Sequence, residues 1–318
     1  MTGPALPHVV VAVLTYKRPG DLAAALPLLV DQVRDASDLA GCEVLVVDND
    51  PEASARATVE AWPDPEVGYA HEPTPGIAAA RNRALDVASG ADALVFIDDD
   101  ERPSEHWLRL MVQTWRDGDW TGVVGPVVSE FAAEPTPWVA AGRFFDRRRL
   151  PTGTTVDVAA TNNLLLDLPR LSDSGVRFDE DFGLSGGSDT LFTRQLVSTG
   201  HRLVWCDEAW VVDVVPEDRL TRGWVLRRAF RSGNSWSRTT LALSRGRGHR
   251  LVDRGRLLVP GTVRAVGGLG RLVLGLLSSS AERQARGART LARGAGMTSG
   301  AFGYVYREYS RSRGRSRR

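Results

Sequence analysis

The sequence predicts an α/β fold: a mostly parallel sheet with helices on both faces, followed by a helical C-terminal region. Three observations carry this. Over the first hundred residues, short β-branched runs alternate with segments whose apolar residues recur at helical spacing. The strand runs are apolar almost throughout, as strands covered on both faces are. From Thr221 onward the pattern is helical alone.

Taken in order, His8–Thr15 (HVVVAVLT) reads as the first strand, and Pro19 and Asp21 suit the start of a helix carrying Leu22, Leu26, Leu29, Val30 and Val33. Glu43–Val47 is a second strand, ended by Asp48-Asn49-Asp50-Pro51; a short helix over Ala53–Ala61 and a weaker strand at Val67–His71 follow. Gly76–Ala88 is Ala-rich and helical, and Asp92–Ile97 is a strand running into Asp98-Asp99-Asp100, with Ser104 as N-cap of a helix to Arg116. The middle is less regular: strands at Gly122–Val128 and Thr161–Asp167, a helix at Ser188–Ser198 after Gly186-Gly187, and short strands at Arg202–Trp205 and Ala209–Val215.

Composition bounds the function classes. With 318 residues, 42% hydrophobic and 25% charged, the chain is neither a disordered polymer, a collagen-like fibre nor a polytopic membrane protein. Two cysteines, Cys42 and Cys206, exclude a disulfide scaffold and a CxxC zinc site. Val9–Leu14 is too short for a signal core and has no basic stretch before it. The net charge of +1 conceals an asymmetry: Arg219–Arg318 carries 23 Arg against Asp253, Glu282 and Glu308, while residues 1–218 hold 17 basic and 36 acidic residues. A basic third of this kind points to an anionic surface, nucleic acid or membrane, unless the two parts neutralise each other in the fold.

The chemistry concentrates at strand ends. In open α/β sheets ligands bind beyond the carboxyl ends of the strands. The acidic clusters at 48–50 and 98–100 both follow strand ends, which places them on one rim. If strand geometry persists, Asp98 and Asp100 project to one side and Asp99 to the other. Such a pair suits a hard divalent cation, Mn²⁺ or Mg²⁺, which takes one or two carboxylates plus phosphate oxygens. A solvated acidic turn is the plain alternative. Gly76 before a helix bearing Arg81 and Asn82, and Asp189 at a helix start after two glycines, add an anion-facing Arg and a dipole-stabilised carboxylate. Each has an ordinary reading too, as a turn former, a solvated side chain or a cap.

The order of VAVLTYKRPGDL, VLVVDNDP, GIAAARNRAL, LVFIDDDERPSEHWL and FDEDFGLSGGSDTLFTRQLVSTG over residues 8–235 resembles the inverting family 2 glycosyltransferases of the GT-A fold. That resemblance implies a Rossmann-like nucleotide-diphospho-sugar transferase domain at 1–220; the charge count and helical pattern add a basic amphipathic helical region at 221–309, a candidate for membrane contact, and a basic tail at 310–318, expected to be disordered. It implies a nucleotide-sugar donor (UDP-, GDP- or dTDP-linked), a hydroxyl acceptor on an envelope glycan or lipid carrier, and Mn²⁺ or Mg²⁺. Carried over by position, Thr15, Asp48, Arg81, Asp98 and Asp99 would lie at the donor. Arg227, Arg228 and Arg231, in the helical run LRRAFRSGN, offer charge for the departing phosphate, with a solvated helix face as the equal alternative. Asp100 would ligate the metal, Asp189 would be the general base, and Asn162 and Asn163 would border the acceptor. Two departures stand out. Ser188 precedes Asp189 where the family often has Glu, and Asp213 stands where many members have a metal-proximal His; an acidic residue there still suits a hard cation.

Rival readings fit less well. A phosphotransferase with its nucleophilic Asp after a strand wants Thr or Val shortly after it, and here Glu101-Arg102 follows. A nucleotidylyltransferase wants a Gly-rich loop after the first strand, which TYKRPGD does not supply. A binding protein with a decayed site remains the non-catalytic alternative. In the basic third, Leu257–Leu277 is long and apolar, but Arg264 and Arg271 inside it would each cost about 2.5–3.5 kcal/mol near a bilayer centre. Pro260 and several glycines weaken the helix. The two Arg lie seven apart, on one face, and Arg283, Arg286, Arg289 and Arg293 share another, as in helices that lie in an interface. No zinc spacing, stacking motif or helix-turn-helix supports nucleic acid. The expected setting is therefore cytoplasmic, peripheral on the inner face of the membrane. A structural cap on the catalytic domain is the alternative.

Overall fold

In a computed structural model, residues 5–63 and 65–306 are described; the expected disordered tail at 310–318 lies outside them. The elements run β1 (His8–Thr15), α1 (Pro19–Asp35), β2 (Gly41–Asp48), α2 (Arg56–Glu60), β3 (Val67–His71), α3 (Ile77–Val87), β4 (Ala93–Asp98), β5 (Glu101–Pro103), α4 (Trp107–Arg116), β6 (Gly122–Val124) and β7 (Val127–Phe131). They continue α5 (Pro137–Gly142), β8 (Thr155–Val156), β9 (Asn163–Asp167), α6 (Leu168–Ser174), α7 (Ser188–Ser198), β10 (Leu203–Trp205), β11 (Val211–Val215), α8 (Arg222–Ala242), α9 (Gly246–Leu277) and α10 (Ala281–Ala301).

These elements form two compact units. The first holds the residues up to Glu130, Phe145–Phe178 and Phe192–Val215; the second holds Phe131–Phe144, Asp179–Leu191 and Pro216 onward. The boundary expected near residue 220 is close to one of these junctions. Two segments from the middle of the chain, however, belong with the C-terminal helices.

The first unit is built on an eight-stranded sheet in the order β3-β2-β1-β4-β9-β6-β10-β8. The β3-β2-β1-β4 half is parallel, whereas β9 runs antiparallel to both β4 and β6. Alternation along β1 builds both cores. Val9, Val11 and Val13 pack with Leu22, Leu26 and Leu29 of α1 and Trp107 and Leu108 of α4. Val10, Ala12 and Leu14 pack on the other face with Ala80, Ala84 and Leu85 of α3.

The strand expected at 122–128 is two strands in different sheets, broken at Gly125-Pro126, because Pro lacks the N–H a ladder needs. The second sheet has the order β5-β11-β7. The helix expected from Ser104 starts at Trp107, preceded by His106 at φ 58°. Ser104 serves that start with its carbonyl, which accepts from Trp107 N at 3.2 Å.

The second unit is a helical assembly packed through small residues. A Cβ on Gly233 of α8 would collide with the backbone at Arg293, and one on Gly296 of α10 would strike the carbonyl of Phe230. Ser237 Oγ donates to the Met297 carbonyl at 2.8 Å, and the Asn234 amide donates to Ser299 Oγ and the Tyr304 carbonyl. Gly261, Gly268 and Gly275 of α9 meet α10 in the same way. The glycines expected to weaken α9 are thus its contact surface. Pro260 sits inside the helix without ending it: α9 runs unbroken for 32 residues.

Candidate active site

The parallel register sets the rim. Thr15 at the end of β1 pairs with Asp48 at the end of β2, and Leu14 pairs with Asp98 at the end of β4. Asp98 is the last residue of β4, and Asp99-Asp100 form a turn into β5. Strand geometry therefore does not persist, and the expected split of Asp98 and Asp100 from Asp99 gives way to another grouping. Thr15 Oγ1 donates to Asp99 Oδ2 at 2.7 Å, and Arg18 Nη1 reaches both Asp100 Oδ2 at 2.6 Å and Asp99 Oδ1 at 3.3 Å. Asp99 and Asp100 share one guanidinium. Burial works against the Arg18 charge, but Asp100 and Asp99 outweigh it and hold the group above its ordinary value.

Asp98 stands in surplus negative charge. Burial pushes its carboxyl up to about 7; Arg81 opposes this, while Asp100, Asp99 and Asp213 add to it. Asp99 is pushed up to about 6, again by burial, against the pull of Thr15 and Arg18. Glu101, 2% exposed, is raised well above the usual range by burial and by the Asp98 charge. It accepts from Asp98 N at 3.2 Å and from the Asn162 amide. Across the second sheet, Asp213 of β11 pairs in register with Glu101, and its Oδ2 accepts from Arg147 Nη2 at 2.8 Å.

Asp48 and Asn163 are spent internally. Asp48 is wholly buried: Oδ1 accepts from Asp50 N, and Oδ2 from Ala55 N at 2.8 Å and Tyr69 Oη at 3.1 Å. It braces the rim from behind. Asn163, 1% exposed, receives Trp107 Nε1 and donates to the carbonyls of Pro126 and Ala209, so its amide locks the core. Arg81 lies 5.4 Å over the Phe178 ring, and Asn82 pins the Phe178 backbone through both N–H and carbonyl.

Arg18, Glu101 and Arg147 were not among the expected site residues. Arg18 sat within the TYKRPGD motif, and Glu101 directly followed the acidic run. Nothing local marked Arg147, whose partner is 66 residues away.

The remaining expected residues lie in the second unit. Gly186 and Gly187, at φ 75° and 97°, form the left-handed turn that opens α7 and presents Asp189 in its first turn. Asp189 Oδ1 accepts from Thr190 N at 2.7 Å. Helix α8 braces the turn. Ser235 Oγ donates to the Gly186 carbonyl, Arg238 donates to Ser185 Oγ and lies over the Phe182 ring, and the Arg231 stem runs beside Gly186. Arg228 stacks on Trp224 of its own helix, 5.1 Å from the ring.

Among the described residues no three carboxylate, imidazole or thiol side chains converge to hold a metal by themselves. The donor set is nonetheless all oxygen, and the raised Asp98 carboxyl marks negative charge that a cation would relieve. It suits an ion that draws its remaining ligands from a phosphate-bearing substrate. A separate cleft of about 410 Å³, lined by Pro7, Asp92, Trp115 and Asp167, opens where β1 and β4 begin, at the opposite edge. Of its acids, Asp92 accepts from the His8 backbone N–H, and Asp167 from Trp115 and Arg170.

A mostly parallel sheet carries acidic strand ends on one rim, and sequence comparison assigns the family. Residues 10–167 match the profile of "Glycosyl transferase family 2", and the chain belongs to that family. It is 36% identical over 235 residues to the succinoglycan biosynthesis protein ExoM of Rhizobium meliloti (strain 1021), covering 73% of this chain and 74% of that protein. In fold it is similar to the mannosyltransferase PcManGT from Pyrobaculum calidifontis in complex with GDP-Man and Mn²⁺, with TM-score 0.56, 19% identity, and 91% and 86% of the two chains covered. It is also similar to S. aureus TarS 1–349, with TM-score 0.51, 18% identity, and 94% and 93% coverage. These neighbours establish a GT-A fold. The chain is a glycosyltransferase by family.

Proposed function

We propose that the protein transfers a sugar from a nucleoside-diphosphate donor to a hydroxyl group of an envelope glycan or lipid-linked saccharide, with inversion at the sugar carbon. The observation that carries this is the grouping of Asp98, Asp99, Asp100 and Asp213 with Arg18 and Arg81 at one sheet rim, in a family 2 chain. The relative named for succinoglycan biosynthesis supports a glycan acceptor in envelope synthesis. A cytoplasmic, membrane-peripheral setting follows from that role.

In this reading Arg81, buried and electrostatically coupled to Asp98, holds the donor's diphosphate side, and Asp98 takes a sugar or ribose hydroxyl. Asp48 acts as a positioning residue, because its oxygens are committed to the backbone of the β2–α2 turn. Asp100 and Asp213 would hold the divalent cation, which when bound supplies positive charge to a departing diphosphate. Arg18 must release Asp100 for this. Arg228 and Arg231 add charge-assisted hydrogen bonds to the phosphates. Asp189 removes the proton from the acceptor hydroxyl. That oxygen attacks the anomeric carbon opposite the nucleotide, the carbon–oxygen bond to the diphosphate breaks, and the electron pair leaves on the phosphate oxygen. Asn162, tied to Glu101, borders the acceptor side.

The test is thermal unfolding with UDP-, GDP- and dTDP-sugars, with and without Mn²⁺. One donor at 100 times its Kd should add about 2.7 kcal/mol of stability, and only with the cation. No shift with any nucleotide sugar would overturn the reading.

A further inference from the structure

Helix α9 carries three stripes at seven-residue spacing, which keeps each on one face. Gly261, Gly268 and Gly275 are buried against α10. Two residues before each glycine stand Val259, Val266 and Val273, exposed at 67%, 65% and 44%. With Val263 and Leu277, at 65% and 80%, they make an apolar side facing away from α10. Three residues after the first two glycines stand Arg264 and Arg271, both exposed. Neither has an acidic partner among the described residues. Arg293 of α10 adds to them: burial and then the Arg264 and Arg289 charges hold its guanidinium below its ordinary value.

An apolar side of this extent, left uncovered, is unusual on a soluble monomer. Its flank of unneutralised arginines says what covers it, since anionic phosphates complement the charge and acyl chains the valines. The helix is about 48 Å long, well beyond the roughly 30 Å of a bilayer core. Upright, Arg264 and Arg271 would stand inside the hydrocarbon. Lying flat, they snorkel to the headgroups.

We propose that α9, backed by α10, docks in the plane of an anionic phospholipid surface, its Val259–Leu277 apolar side in the acyl boundary and Arg264, Arg271 and Arg293 on lipid phosphates. This names the membrane partner of the transferase reading and rests on it for its purpose alone.

The experiment is co-sedimentation of the full chain with vesicles of phosphatidylglycerol and phosphatidylcholine, or of phosphatidylcholine only, at low and high salt. The expected result is binding to the anionic vesicles that weakens with salt. Arg264→Gln/Arg271→Gln should weaken it about 30-fold, at roughly fivefold per basic residue. Val263→Glu/Val266→Glu should abolish it. These positions are exposed, and the donor-induced thermal shift, read in parallel, should stay at the wild-type value. That shift tests the transferase reading separately, because vesicle binding needs no donor. Three outcomes overturn the proposal: no binding to anionic vesicles; binding that resists salt and carbonate, which makes α9 a span; or Val263→Glu/Val266→Glu turning a dimer into a monomer without changing vesicle binding, which makes this side an interface between copies.

Discussion

Asp98 has a carboxyl raised to about 7, whereas an unfolded Asp titrates near 4. The folded chain therefore holds an extra proton across that window. This group's contribution to stability is least unfavourable below pH 4 and declines as pH rises through 7. Asp98→Asn removes the penalty. Its stability relative to wild type should grow between pH 4 and 7 by up to about 4 kcal/mol, at about 1.4 kcal/mol per pKa unit, measured by urea unfolding at each pH without metal. A difference independent of pH would refute the shift. Asp100→Ala should abolish cation-dependent nucleotide binding, read by titration calorimetry with and without Mn²⁺; unchanged affinity would remove Asp100 from the metal site. Asp189→Asn should cut turnover by roughly 10²–10⁴-fold with donor affinity nearly intact; loss of donor binding instead would assign it to the nucleotide. At this scale the acidic run was readable because it closes an apolar strand. The fates of its members were not. Asp99 and Asp100 are grouped by Arg18, more than 80 residues earlier, and the commitment of Asp48 and Asn163 to the interior depends on partners the sequence does not pair.

At the level of elements, α9 offers an internal control. A Cβ on Gly268 would strike the Leu291 backbone, while one on neighbouring Gly267 would meet nothing within 4 Å. Gly268→Ala should destabilise the helix pair by about 1–3 kcal/mol through overpacking. Gly267→Ala should gain about 0.5–1 kcal/mol from helix propensity. Thermal melts of the two variants check this; equal shifts would mean that α9 does not pack through its glycine stripe. The strands and helices of the first hundred residues were legible because period and burial agree there. Gly125-Pro126 hid inside an apolar run, and only sheet membership divides that run into β6 and β7. The glycines of α9 looked like helix breakers because a single sequence shows their propensity and not the helix they approach.

On the scale of the whole molecule, the charge division near residue 218 was plain in composition, as was a helical C-terminal region. That two middle segments belong with those helices was not, since neither carries a local mark of its partner. Within the first unit, the acidic turn has a further role. Asp98 ends a strand of the eight-stranded sheet, and Glu101 begins one in the three-stranded sheet, where Asp213 lies opposite it. Asp99-Asp100 is thus a two-residue joint between sheets, with acidic groups on either side of it. A cation gripping both sides would act as a rivet, and loading the site should stiffen β5 and β11 mechanically. Hydrogen–deuterium exchange at Arg102 and Val212 should slow when Mn²⁺ and donor are added together, so that occupancy is felt as rigidity in strands that carry no substrate themselves.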